Sequence, residues 1–282
     1  MPFFLLLFSP ILIIMKDFVL MIYDLQKASV LKRISAFLLD FILTVILLTG
    51  FMWGISAVAG YDTYSDTLSA RMEEIKVEYG VPEIAEKYEI NIDSFANMTE
   101  EERAKLPEDV QTTLTDCIKK INSDPEIGQA YMMIMNLTLL MVSIGFLLSI
   151  LVVEFIIPLI FKNGQTLGKK IFSIAVVRVD GVRVTPTIMF VRAILGKYTI
   201  ETMVPAVLIL MMHFGVGSII TVGVLLLIAV FQLVLLIATK TNSLIHDAFS
   251  STVVVDMQTQ MIFDSVDAKI EYQKKLQSER RE

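Results

Sequence analysis

The chain has 282 residues, of which 55% are hydrophobic and only 19% charged, with a formal net charge of −6. Soluble domains carry about 25% charged residues, so the deficit points to a lipid-facing surface, and the acidic balance argues against a nucleic-acid partner. Its one cysteine, Cys117, leaves no intramolecular disulfide or cysteine-based metal site, and His213 and His246 lack metal-ligand neighbours at helical spacing, so no metal or other cofactor is expected.

Residues 1–22 are apolar but interrupted by Lys16 and Asp17, after a run too short to cross a bilayer core of about 30 Å. They lack the basic start and small-residue cleavage site of a secretory signal. The run from Met21 reads as a natural beginning, so the opening segment is expected to be an upstream extension. Segment 23–60 holds the first span, residues 34–59, preceded by Lys27, Lys32 and Arg33. Arg33 and Asp40 stand seven residues apart, two helical turns, and share a face. A carboxylate at that depth costs a few kcal/mol (about 2.5–3.5) unless it is paired or hydrated. Arg33 can reach back to the interface, so Asp40 is either an ion or proton site or a member of a structural ion pair that holds helices together.

Residues 61–129 turn polar and acidic, with seventeen Asp or Glu against seven Lys or Arg. The pattern is helical. Charges line one face over 65–79, Thr99 and Glu102 form a capping box that starts a helix towards Lys120, and Asp124 with Pro125 begins the helix of the second span. The expected core is Leu68, Met72, Ile75, Leu106, Val110, Leu114 and Ile118.

The second span, 130–161, carries one charge, Glu154, followed four residues later by Pro158. Proline has no N–H, so the Glu154 carbonyl loses its helical donor and a kink is expected. Glu201 and Pro205 repeat the arrangement. Each pair sets a carboxylate beside a freed carbonyl, oxygen-rich chemistry that suits a hard cation. Segment 162–199 holds seven basic residues and one acid, Asp180. Positive loops stay in the cytoplasm, which places 61–129 outside and both termini inside a cell membrane. Asp180-Gly181 between β-branched runs predicts a hairpin, with 251–256 available as a third strand. The apolar run 202–239 is near 57 Å as one helix, too long for the bilayer, so 200–240 must turn back around 213–218 as a hairpin of two spans. Residues 241–282 then form a cytoplasmic tail. The fold class is an all-α polytopic membrane protein with four transmembrane helices, an extracytoplasmic helical insert and a small cytoplasmic β-hairpin.

The runs KRISAFLLDFIL and GQTLGKKIFSIAVVRVDGVRV, then Arg192, then SLIHDAFSSTVVV are similar in content and order to the RDD family of bacterial membrane proteins. That family is named for one arginine and two aspartates, which the resemblance assigns to Arg33, Asp40 and Asp247. It assigns Gly164, Gln165, Thr166, Gly168 and Lys169 to the family's G-x-T-x-G-K segment. The match covers 23–60 and 154–255 and leaves 61–129 unexplained; Ser250-Ser251 replace the usual small Ala-Gly pair. For function it implies transport, with cation/proton antiport proposed for some members.

No Ser-His-Asp, HExxH or P-loop pattern is present, so an enzyme is not expected. The ion or proton candidates are Asp40, Glu154, Glu201 and Asp247; Arg33 and Arg192 are their charge partners, and His246 precedes Asp247. Counted alone, two arginines against four acids leave an excess of negative charge, which a proton or cation would balance. Two functions remain. One is a monovalent cation/proton transporter taking Na+ or H+, which with only four spans would be a homo-oligomer in the lipid bilayer. The other is a non-transporting module for assembly, sensing or anchoring that binds a partner through 61–129.

Overall fold

A computed structural model of the chain describes residues 25–215 and 217–279. The expected upstream extension, residues 1–22, and Val216 of the expected turn lie outside them. In chain order the helices are α1 (Val30–Ala59), α2 (Tyr61–Glu78), α3 (Val81–Tyr88), α4 (Ile92–Asn97), α5 (Glu100–Arg103) and α6 (Glu108–Ser123), then α7 (Pro125–Phe161) and α8 (Leu167–Ile171). Strand β1 (Ile174–Arg178) follows, then α9 (Pro186–His213), α10 (Ile219–Ala238), α11 (Ile245–Phe249), β2 (Thr252–Asp256) and α12 (Val266–Glu279). Helices α1, α7, α9 and α10 are long and apolar enough to cross a membrane. Large apolar side chains such as Leu31, Ile46, Ile219, Leu227 and Ile237 are exposed along α1 and α10. Such helices are apolar on every side because lipid, rather than protein, meets their outer face. The protein is an all-α multi-pass membrane protein.

The described residues form two compact units, Trp53–Met141 and the remainder. In the first, Ile75, Phe95, Leu114 and Cys117 are fully buried, joined by Val81, Ile92, Val110, Ile121 and Ile127. Leu68, Met72, Leu106 and Ile118 pack at the edge of this core. The Thr99 capping box forms, with the Thr99 N–H donating to Glu102 Oε2 at 2.9 Å. The helix it starts ends at Arg103, however, instead of running to Lys120. Proline lacks the N–H to continue a helix and disfavours helical backbone before it, so Pro107 breaks the run and α6 begins afresh behind it. Asp124 caps α7, its Oδ1 accepting from the Glu126 and Ile127 N–H groups at 3.0 and 3.2 Å. Its Oδ2 accepts from Arg71 at 2.9 Å, and that guanidinium, with the two N–H groups, holds the Asp124 carboxyl below its ordinary value.

In the larger unit, β1 pairs antiparallel with β2, from Ile174 opposite Asp256 to Arg178 opposite Thr252. Both faces of the sheet are covered, which is why IAVVR and TVVVD read as continuous rather than alternating apolar runs. The expected turn at Asp180-Gly181 forms, with Gly181 at φ +80 and the Arg178 N–H bonded to the Val182 carbonyl at 2.9 Å. Its return limb meets β1 at an isolated Val177–Arg183 bridge, Val182 pairs instead with Phe263, and the expected third strand is the main partner of β1. Thr185 caps a helix that opens at Pro186, so the basic loop expected over 162–199 is partly helical and Arg192 and Lys197 belong to the third span. Their charges had masked its apolar character.

Two stretches of these spans are π-helical: Leu151–Ile156 within α7 and Arg192–Met203 within α9. Each lies just ahead of a proline, Pro158 or Pro205. The missing proline N–H is met by a wider helix with bonds five residues apart, as from the Val204 N–H to the Thr199 carbonyl.

Candidate functional site

Asp40, buried on α1, sits in a cradle built by the GQTLGK segment. Gly164 adopts φ +60, and a Cβ there would lie 2.9 Å from the Val176 carbonyl oxygen, so the turn can press onto β1 only as glycine. The Gln165 amide donates to the Ile174 carbonyl at 2.9 Å and fixes the turn. Thr166 accepts from the Lys169 N–H at 3.2 Å to cap α8, while its hydroxyl donates to Asp40 Oδ2. The Gly168 N–H donates to Asp40 Oδ1 at 2.8 Å. A Cβ at 168 would collide with the Ala36 carbonyl oxygen, so this glycine lets the backbone reach α1. The glycine spacing of this segment therefore serves a carboxylate, which accepts from the N–H and hydroxyl that the turn supplies.

Lys169 follows in the same turn. Its buried ammonium lies 3.4 Å from Glu154 and 3.7 Å from Asp40. Burial pulls its pKa below the ordinary value; Glu154 and Asp40 restore part of it and Lys197 opposes them. The other Glu154 oxygen pairs with Lys197 of α9.

Asp247, on α11, is fully buried between the two arginines. Its Oδ2 meets Arg33 Nη2 at 2.7 Å and its Oδ1 meets Arg192 Nη2 at 2.7 Å. Burial alone would raise the Asp247 pKa, but the positive groups around it, His246, Arg192 and Arg33, hold it well below the carboxylate range. The imidazole is itself pushed down by burial, which Glu201 and Asp247 only partly offset, so the two guanidiniums supply the lasting part of that field. His246 Nδ1 faces both Glu201 oxygens at 2.8 and 2.9 Å, and Nε2 lies 3.5 Å from Asp247. The approach of α11 to α9 depends on Gly196, where a Cβ would stand 2.6 Å from the His246 Cα.

The π geometry of α9 explains why three of its charges meet one cluster. At about 100° per residue in an α-helix, Lys197 and Glu201 would point roughly 140° and 180° away from Arg192. Bonds that close five residues apart widen each turn, which brings position nine nearly into line with Arg192 and swings position five much closer to it, so all three side chains reach one cluster.

The structure thus brings together every acid and arginine the sequence singled out, in two linked groups. One holds Asp40, Glu154 and Lys169; the other holds Arg33, Arg192, Glu201, His246 and Asp247. Sequence reasoning missed Lys197, which was counted as a loop charge; its spacing of five from Arg192 and four from Glu201 was the available signal. With Lys169 and Lys197 included, four cationic side chains face four carboxylates, so the expected negative excess is absent. Among the described residues, no three His, Cys, Asp or Glu side chains are placed to hold a metal ion.

Ionisable residues buried between apolar spanning helices and neutralised by one another define a multi-pass membrane protein with an internal charge network. The family model described as RDD family matches residues 27–251. The chain belongs to the RDD family, and Arg33, Asp40 and Asp247 all stand in the network. No curated protein and no solved structure matches the chain.

Proposed function

We propose that the protein exchanges a monovalent cation for a proton, with Lys169, Asp40 and Glu154 as the exchange site. The observation that carries this reading is the single buried ammonium between two carboxylates from different spans. Burial favours loss of the Lys169 proton. Once that proton leaves, Asp40 and Glu154 face an uncompensated charge, and a sodium or potassium ion among the carboxylate oxygens and the Thr166 hydroxyl restores it. One cation for one proton keeps the charge of the low-dielectric site constant. The π stretch beside Glu154 supports such an exchange, since these segments mark places where a helix can rearrange locally.

The basic residues of 162–199 favour an orientation with both termini and the network at the cytoplasmic side of a cell membrane. With four candidate spans among the described residues, a homo-oligomer is the working assembly. In reconstituted liposomes carrying a pH dye, sodium or potassium pulses should drive proton movement in the native chain and not in Lys169→Met or Asp40→Asn. Silence of the native chain, inserted and folded, would end the transport reading. A second reading, a non-transporting module whose 61–129 insert binds a partner, draws support from the insert's own core around Ile75, Phe95 and Leu114. It predicts that silent result, together with loss of function on removing the insert.

A further inference from the structure

A second concentration of positive charge lies outside the network, where α7 ends and α9 begins. A cavity of about 220 Å³ opens there, lined among others by Pro158, Leu159, Lys162, Arg183, Pro186 and Met189. Its walls are apolar and its two charged lining residues are both cations. Lys162 caps α7 in a left-handed conformation, φ +61, and its ammonium makes no ion pair among the described residues. Arg183 gives Nη1 to Asp264 at 2.9 Å, a partner whose side chain is 75% exposed, while its Nε hydrogen is buried without an acceptor. An exposed ion pair is worth little and an unmet buried donor is costly, so the Arg183 guanidinium is weakly satisfied and can take a better anion.

The position of the cavity narrows the choice of anion. The apolar run of α7 ends at Phe161 and that of α9 opens at Pro186, so the cavity lies where both spans leave the apolar layer. Ile160 and Phe190, on the same two helix ends, are exposed. Two cations call for a phosphate, and the surrounding apolar surface calls for hydrocarbon; an amphiphile meets both demands. We propose that this cavity holds the phosphate of an anionic glycerophospholipid, its acyl chains lying along the exposed apolar ends of α7 and α9. The same phosphate chemistry could arrive as free phosphate, and the test separates the two sources.

The full chain, stripped of lipid in detergent, is titrated with phosphatidylglycerol, phosphatidylcholine or inorganic phosphate, and binding is read by native mass spectrometry and thermal shift. Phosphatidylglycerol should bind the native chain. The pair Lys162→Gln with Arg183→Gln should weaken it about tenfold, as expected for lost charge-assisted contacts. Lys240→Gln with Arg178→Gln, which removes two other basic residues from the basic loop and the end of α10, should change it less than about threefold. Lys162→Gln alone, an exposed substitution that leaves the fold intact, should still weaken binding measurably, and Asp264→Asn should tighten it by freeing Arg183. Equal weakening by both double variants would reduce the effect to general surface attraction and overturn the site. Inorganic phosphate that matches the lipid, or phosphatidylcholine that binds as well, would overturn the lipid assignment.

Discussion

Gly168→Ala tests the Asp40 cradle most directly. The added Cβ would collide with the Ala36 carbonyl oxygen and lie 2.9 Å from Asp40 Oδ1 and 3.0 Å from its Cγ. The obstacle at Ala36 is main chain inside a helix, so it cannot turn aside, and α8 must withdraw. Withdrawal breaks the 2.8 Å bond from the Gly168 N–H to Asp40. Overpacking of this kind costs about 1–3 kcal/mol and a hydrogen bond to a charged acceptor about 1.5–3 kcal/mol, giving roughly 2.5–6 kcal/mol together. Unfolding of the full chain in mixed micelles, followed by circular dichroism, should show that loss. Gly223→Ala is the control: nothing lies within 4 Å of its added Cβ, so it should be neutral or slightly stabilising. A loss below about 1 kcal/mol at Gly168 would refute the reasoning that this glycine is needed for the contact with α1.

The remaining predictions probe charge and pH. Asp247→Asn leaves Arg33 and Arg192 facing each other without a counter-ion, and should destabilise by about 3–5 kcal/mol in the same assay; a near-native midpoint would mean the guanidiniums find other partners. The His246 pKa is lowered by burial, so the unfolded chain takes up the proton first as pH falls through the ordinary value of 6.5. Stability should therefore decline from about pH 7 to about pH 5, and His246→Gln should flatten that slope; an unchanged slope would assign it to another group. Asp124 is held low by Arg71, so its contribution is complete above the ordinary carboxyl value of 3.8 and is lost as pH falls through the folded value. The helical signal of residues 61–129 should weaken only on strong acidification, and Asp124→Asn should remove the contribution at neutral pH; an insert unaffected by either would show that the cap is dispensable.

The spans were legible because hydropathy over twenty residues is a one-dimensional property, and so was the Asp124 cap, which needs only neighbours in sequence. The start of α9 was not legible, because Arg192, Lys197 and Glu201 lower its apolar score while their pairing in the fold removes the penalty that score assumes. The inward facing of those three residues was illegible for a related reason: at α-helical spacing they diverge, and nothing in sequence announces a π stretch except the proline behind it. Asp40 was recognisable as costly in a membrane, but its partners came from 126 and 128 positions away, in a turn whose glycines act as clearance. The sheet pairing went the same way. Asp180-Gly181 marked a real turn, yet the strand that completes β1 arrives from the other side of two membrane spans.

The order of synthesis gives the Arg33–Asp247 pair a further meaning. Its members are 214 positions apart. At about 5–20 residues per second, Arg33 is made roughly 10–40 s before its counter-ion. Arg192 is nearer, 55 positions from the same carboxylate. For most of that interval Arg33 waits alone, and over its last 55 residues Arg192 waits with it, so until Asp247 is made α1 has no electrostatic reason to settle against α9. The last helix to enter the membrane therefore delivers, just behind it, the group that latches the first and third together. A chain interrupted before that point differs from a finished one in charge as well as in length.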